Sequence, residues 1–247
     1  MSGVGRAVER WVHGFGVLIG PGRKGGIGEG NQVAHIVARD YGRTMATTPP
    51  QPPQPPQPAD RARPPSLAAD DKNWTWVLER LCADCGFDAA STPAEAVPQL
   101  VRENAAEWRS LLAHPHATLR PTDDQWSALE YACHVRDVFR LFDRRLELML
   151  DDDAPRFANW DQDVTAIEDR YDLQDPAVVA DELAVAAEAI SSRFEHVGAA
   201  QWGRTGLRSD GAEFTVDSFA RYFVHDPIHH VDDVHRGNEI LASGDLD

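Results

Sequence analysis

The chain has 247 residues, 42% hydrophobic and 26% charged, which suits a soluble domain with a packed core. Its net charge of −16 is uneven: residues 1–70 hold eight basic and five acidic side chains, residues 71–247 sixteen basic and thirty-five acidic, a net −19 over the second part. So acidic a surface repels phosphate, which argues against nucleic acid and anionic membranes as partners.

Cys82, Cys85 and Cys133 are too few and too scattered for a disulfide framework. No run approaches the roughly 18 apolar residues that a membrane span needs. Arg6 and Arg10 precede the stretch from Trp11 to Gly20, which loosely imitates a signal peptide, but it is short, holds His13 and three glycines, and has no clear cleavage site. The expected location is the cytoplasm.

Residues 1–44 are Gly-rich without sustained periodicity, and residues 49–58 read PPQPPQPPQP, a run that favours polyproline II and packs no core. Residues 1–70 are therefore read as a disordered leader, with Met45 as an alternative start. The segment Gly20 to Gly30, GPGRKGGIGEG, lacks both the spacing of a phosphate loop and a preceding strand.

Order is expected over residues 71–247. Trp74, Val77, Leu78 and Leu81 fall at helical spacing and predict a short amphipathic helix. A first long helix follows from about Pro93 to Ala113, with Thr92 as N-cap, Glu95 completing a capping box, and Pro98 able to split off the first turn. The second spans about Ser127 to Leu150, where Ser127 and Glu130 again suit a capping box. The third runs from about Pro176 to Val197 behind Asp175. The fourth runs from about Val216 to Arg236, capped by Thr215 and stopped by Gly237. Ser209-Asp210-Gly211 reads as a hairpin turn between the last two. The long connections near 151–174 and 198–214 are the kind that line sites. The fold class is all-α, a four-helix bundle.

The chemically informative segment is HDPIHHVDDVH, residues 225–235. His225 and His229 are four apart, so on a helix they stack on one face and can meet one cation. Pro227 should bend the helix between them. His230 points about a hundred degrees away and His235 sits near the end, so both are read as structural. His134 lies inside the second helix and, as an inward polar group, needs a partner. Bundles build metal sites from inward side chains on facing helices, and three imidazoles leave a zinc-like ion one open position. The expected ligands are therefore His134, His225 and His229, with Glu130 or Asp137 orienting an imidazole.

Other residues carry weaker expectations. Cys82-Ala-Asp-Cys85 has neither a second cysteine pair nor a histidine at finger spacing, so a closed zinc site is not expected there. A redox pair or simple packing are the remaining readings. Cys133 reads as core. In FANWDQD, residues 157–163, Asp161 or Asp163 is placed to reach the metal mouth, and Asp163 is assigned as proton acceptor. Arg204 and Arg208 could bind a substrate carboxylate or simply offset acidic surface.

The runs WSALEYACHVRD (Trp126 to Asp137) and TVDSFARYFVHDPIHHVDDV (Thr215 to Val234) resemble the two signature regions of the DinB/YfiT-like superfamily. Its members are four-helix bundles with one histidine on the second helix and an H-x-x-x-H pair on the fourth, positions filled here by His134, His225 and His229. The resemblance covers about residues 74–236. It implies the bundle and a divalent metal, zinc- or nickel-like. Its members include thiol-dependent isomerases and transferases that use bacillithiol or mycothiol. The expected function is thus metal-dependent transfer with a small-molecule thiol and an electrophilic substrate. Hydrolysis by metal-activated water and a non-enzymatic metal-binding stress protein are the alternatives. A homodimer is compatible with this reading.

Overall fold

The computed structural model describes residues 73–244, so the expected leader, its proline run and Met45 lie outside the described residues. The helical periodicities become α1 (Val97–Leu112), α2 (Ala128–Asp151), the short α3 (Gln162–Glu168), α4 (Pro176–Glu195) and α5 (Val216–Ser243). The four long helices form the bundle, with α1 and α2 each packing against both α4 and α5. Its centre is aromatic. Phe142 stacks on Phe219 and Phe223 at centroid distances of 4.9 and 5.0 Å, and Phe139 and Phe194 close on Phe223.

Local chemistry sets the helix ends. Ser127 and Glu130 form the expected capping box, with the Ser127 hydroxyl accepting from the Glu130 N–H. Asp175 accepts from the N–H groups of Ala177 and Val178 to start α4. Thr215 forms a second reciprocal cap with Ser218.

Two boundaries differ from expectation. Thr92 does not cap α1; its hydroxyl donates to the Asp88 carbonyl, and residues Ala94–Ala96 form a 3-10 turn before α1 starts at Val97. Pro98, lacking an N–H, is suited to that first α-helical turn. Gly237 does not stop α5, which continues to Ser243 and ends at Gly244 in the left-handed conformation. Instead Gly237 lets Pro121 approach: a Cβ there would lie 3.0 Å from Pro121 Cγ.

The segment before α1 and the hairpin between α4 and α5 pack on α5. The expected short first helix is a 3-10 segment, Trp74–Leu78, packed against α5. Strands β1 (Thr205–Leu207) and β2 (Glu213–Thr215) pair antiparallel around a turn in which Gly211 takes φ +93°. Among the described residues, no helix is long and apolar enough to cross a membrane.

Candidate metal centre

α5 carries two overlapping i, i+4 pairs, His225 with His229 and Asp226 with His230. Successive residues on a helix are rotated by about 100°, so the two pairs occupy neighbouring faces. The structure uses both faces. The three expected ligands do not meet at one point. His134 is grouped with Asp226 and His230, whereas His225 and His229 are grouped with Cys82 and Cys85. The position that opposes α2 is one residue further along α5 than the histidine spacing alone suggests. His230, read from sequence as structural, and Asp226, unassigned there, are thereby added to the candidate donors.

In the first group the donor atoms of His134, Asp226 and His230 lie within 4.8 Å of one another. His134 Nε2 is 3.4 Å from Asp226 Oδ1, and His230 Nε2 is 3.8 Å from Asp226 Oδ2. His134 is fully buried, yet neither of its ring nitrogens has a hydrogen-bond partner, and Asp226 Oδ1 has none either. Orphaned buried polar atoms are costly, and a cation here would satisfy His134 Nε2 and Asp226 Oδ1 together. Burial alone would raise the Asp226 pKa, but His134 and His230 beside it hold the carboxyl well below the usual carboxylate range. His230 Nδ1 lies 2.9 Å from Asp233 Oδ2, which assigns the proton to Nδ1 and leaves Nε2 as the donor atom toward Asp226. Trp160 stacks on His134 at 5.4 Å, Trp126 stands 5.6 Å from it, and Tyr131 covers His230 at 4.9 Å.

In the second group Cys82, Cys85, His225 and His229 also offer four donor atoms within 4.8 Å of one another. Cys82 Sγ lies 3.7 Å from His229 Nδ1. Burial, reinforced by His229, lowers the His225 pKa to about 4, and burial also lowers that of His229. Both imidazoles are therefore neutral near pH 7. Burial pushes the Cys85 thiol up to about 11.

Residues 115–234 match the DinB superfamily family model, a span that includes His134 and the whole of the α5 donor segment. Over that span the chain is similar to the DinB superfamily. Its bundle is similar to a solved structure described as "YfiT from Bacillus subtilis is a probable metal-dependent hydrolase with an unusual four-helix bundle topology". The two share 15% identity at a TM-score of 0.55, over 60% of this chain and 87% of that one, a likeness that concerns the fold. No curated protein matches the chain.

The remaining expected residues of this DinB-like chain have mixed fates. Asp163 lies in the first turn of α3, three residues past Trp160, and belongs to neither donor group. Its neighbour Asp161 caps α3 through the N–H groups of Asp163 and Val164. Neither Glu130 nor Asp137 orients His134. Glu130 is bonded to Arg120 and Ser127, and Asp137 to Arg136, Arg140 and the Tyr171 hydroxyl. Cys133 is buried core, with its thiol pushed up to about 12 by burial. Arg204 caps the end of α2 by donating to the Met149 carbonyl at 2.6 Å and to that of Asp152. Arg208 pairs with Asp210 and donates to the Tyr222 hydroxyl.

Arg145 of α2 carries no expectation from the sequence. Among the described residues it has no ion-pair partner; it donates to the Ala158 carbonyl and lies over the Phe142 and Phe157 rings. Burial lowers its pKa to about 10, with Arg208 adding to the effect. Its position eleven residues after His134, three turns along the same face of α2, was the available signal.

Proposed function

We propose that this DinB-like chain holds a divalent metal on His134, Asp226 and His230 and catalyses group transfer from an electrophile to a low-molecular-weight thiol. The observation that carries the reading is the meeting of three buried or half-buried donors from α2 and α5, with His134 and Asp226 atoms otherwise unpartnered. Two imidazoles and a carboxylate suit a zinc-like ion and leave it an open position. When bound there, the cation lowers the pKa of a thiol or water placed beside it and favours the nucleophilic anion.

The protein's own groups supply the rest. Asp233 fixes the His230 ring, so that its Nε2 stays directed at the site. Trp126, Trp160 and Tyr131 wall the donors and limit water around them. Asp163, on the helix that follows Trp160, is the proposed proton acceptor. Arg145, roughly 16 Å along α2 from His134, is placed to bind an anionic group at the far end of an extended thiol substrate.

Hydrolysis, with water in place of the thiol, is the second reading. The description of the structurally similar YfiT as a probable metal-dependent hydrolase favours it. The two separate experimentally by incubating zinc-loaded full-length chain with a panel of electrophiles, with and without small thiols. Thiol-dependent product formation that disappears in His134→Ala and in Asp226→Asn is the expected result, with Arg145→Gln raising KM more than it lowers kcat. Turnover that proceeds equally without thiol would replace transfer by hydrolysis. No turnover with any electrophile would leave metal binding alone.

A further inference from the structure

We infer that Cys82, Cys85, His225 and His229 form a second, closed site for a zinc-like cation, which ties the segment before α1 to the middle of α5. Four donors, two sulfur and two imidazole, match in number and type a tetrahedral structural zinc site. The spacings are those of such sites as well, C-x-x-C on one segment and H-x-x-x-H on the other. What hides the pattern in the sequence is the 147-residue separation between Cys82 and His229, which the fold reduces to 3.7 Å between Sγ and Nδ1.

The cysteine segment is built as a tight loop that brings its two sulfurs to one place. The Cys82 N–H donates to the Phe87 carbonyl at 2.9 Å, and the Gly86 N–H donates back to the Cys82 carbonyl at 2.9 Å. Gly86 takes φ +73°, a conformation glycine adopts at little cost, and thereby turns the chain straight after Cys85. Both thiols are free, Cys82 is fully buried, and His225 Nε2 is buried without a hydrogen-bond partner. A disulfide between the cysteines would leave that nitrogen unsatisfied; a cation explains thiols and imidazoles together.

The surroundings show that this site differs in kind from that of His134. Trp74 lies 5.3 Å from His229 and 5.6 Å from His225, while Phe87 and Trp76 stand 6.0 and 6.4 Å from His225. Four protein donors under an aromatic cover leave a tetrahedral ion no open position, so its role is structural. Binding would release the thiol protons to solvent, with no change of oxidation state. Among the described residues, the segment it fastens has little regular structure before α1, only the 3-10 helix Trp74–Leu78 and the 3-10 turn Ala94–Ala96. His225 and His229 directly precede Asp226 and His230, so a cation behind α5 also fixes the face turned to His134. Cys82 and Cys85 lie outside the family match at residues 115–234, and His225 and His229 within it, so the site joins the matched bundle to the segment before it.

The test uses the full chain, purified without a His tag and loaded with zinc or with cobalt(II). Elemental analysis should find two zinc equivalents in the wild type. The double variant Cys82→Ser/Cys85→Ser should lose one of them, together with the thiolate-to-cobalt charge-transfer absorption. His134→Ala should lose the other and keep that absorption. Because the cysteine variant could fail to fold, the wild-type cobalt spectrum stands as an independent readout. Absence of a thiolate-to-cobalt band in the wild type, a full metal count in the cysteine variant, or loss of the band in His134→Ala would each overturn the inference. Failure of the proposed catalysis would leave all three readouts unchanged.

Discussion

On one side of α5, Asp226 and His230 meet His134 of α2; on the adjacent side, His225 and His229 meet Cys82 and Cys85 of the segment before α1. One set is three donors with a carboxylate among aromatic walls, the other four donors including two sulfurs beneath Trp74, Trp76 and Phe87. A hundred degrees of helix rotation thus separates a set suited to chemistry from a set suited to holding the chain together. The difference teaches that H-x-x-x-H marks a metal-competent helix without stating which face the partner helix meets.

The comparison can be broken at its base. Phe223 is fully buried, stacks with Phe142 and Phe194 and meets Phe139 edge-on, so Phe223→Ala should cost about 3–5 kcal/mol in chemical denaturation. It should weaken metal binding on both faces together, since both depend on the seating of α5. Unchanged stability would show that the aromatic centre does not set the position of that helix.

His134→Ala sharpens the comparison. It should lower zinc affinity of the open set by more than about 100-fold, beyond what loss of an orienting partner causes, while leaving the cysteine-bound equivalent in place. Equilibrium dialysis against zinc would show it, and equal loss of both equivalents would contradict the separation of the faces. Asp233→Asn removes the carboxylate that holds His230 Nδ1 and should weaken the open set by about 10- to 100-fold. An unchanged dissociation constant would mean that His230 is oriented by something else. The smallest effect is expected at Ser127→Ala, which loses the cap of α2 and should cost about 1 kcal/mol in thermal or chemical unfolding. Cobalt–thiolate absorption should be untouched by it.

Much of the frame was legible. The four long helices follow from apolar spacing, and Ser127, Asp175 and Thr215 announce their starts because short polar side chains satisfy the first N–H groups. Gly237 misled because a glycine late in a helix reads as a stop, whereas here it serves a close approach to Pro121. α3 went unseen because its seven residues are too few to set a period, although Asp161 is a good cap. The site was half legible. His134 and the histidine-rich stretch of α5 were visible, but 225/229 and 226/230 are equally spaced, and only packing against α2 chooses between them. The cysteine pair was discounted because its histidines lie far along the chain, and long-range pairing leaves no periodic trace.

The most direct measurement is anomalous diffraction at the zinc edge from crystals of the full chain grown with zinc. The expected map has two peaks, one among His134, Asp226 and His230 and one among Cys82, Cys85, His225 and His229. A single peak shared by His134, His225 and His229 would contradict the division of α5 into two faces.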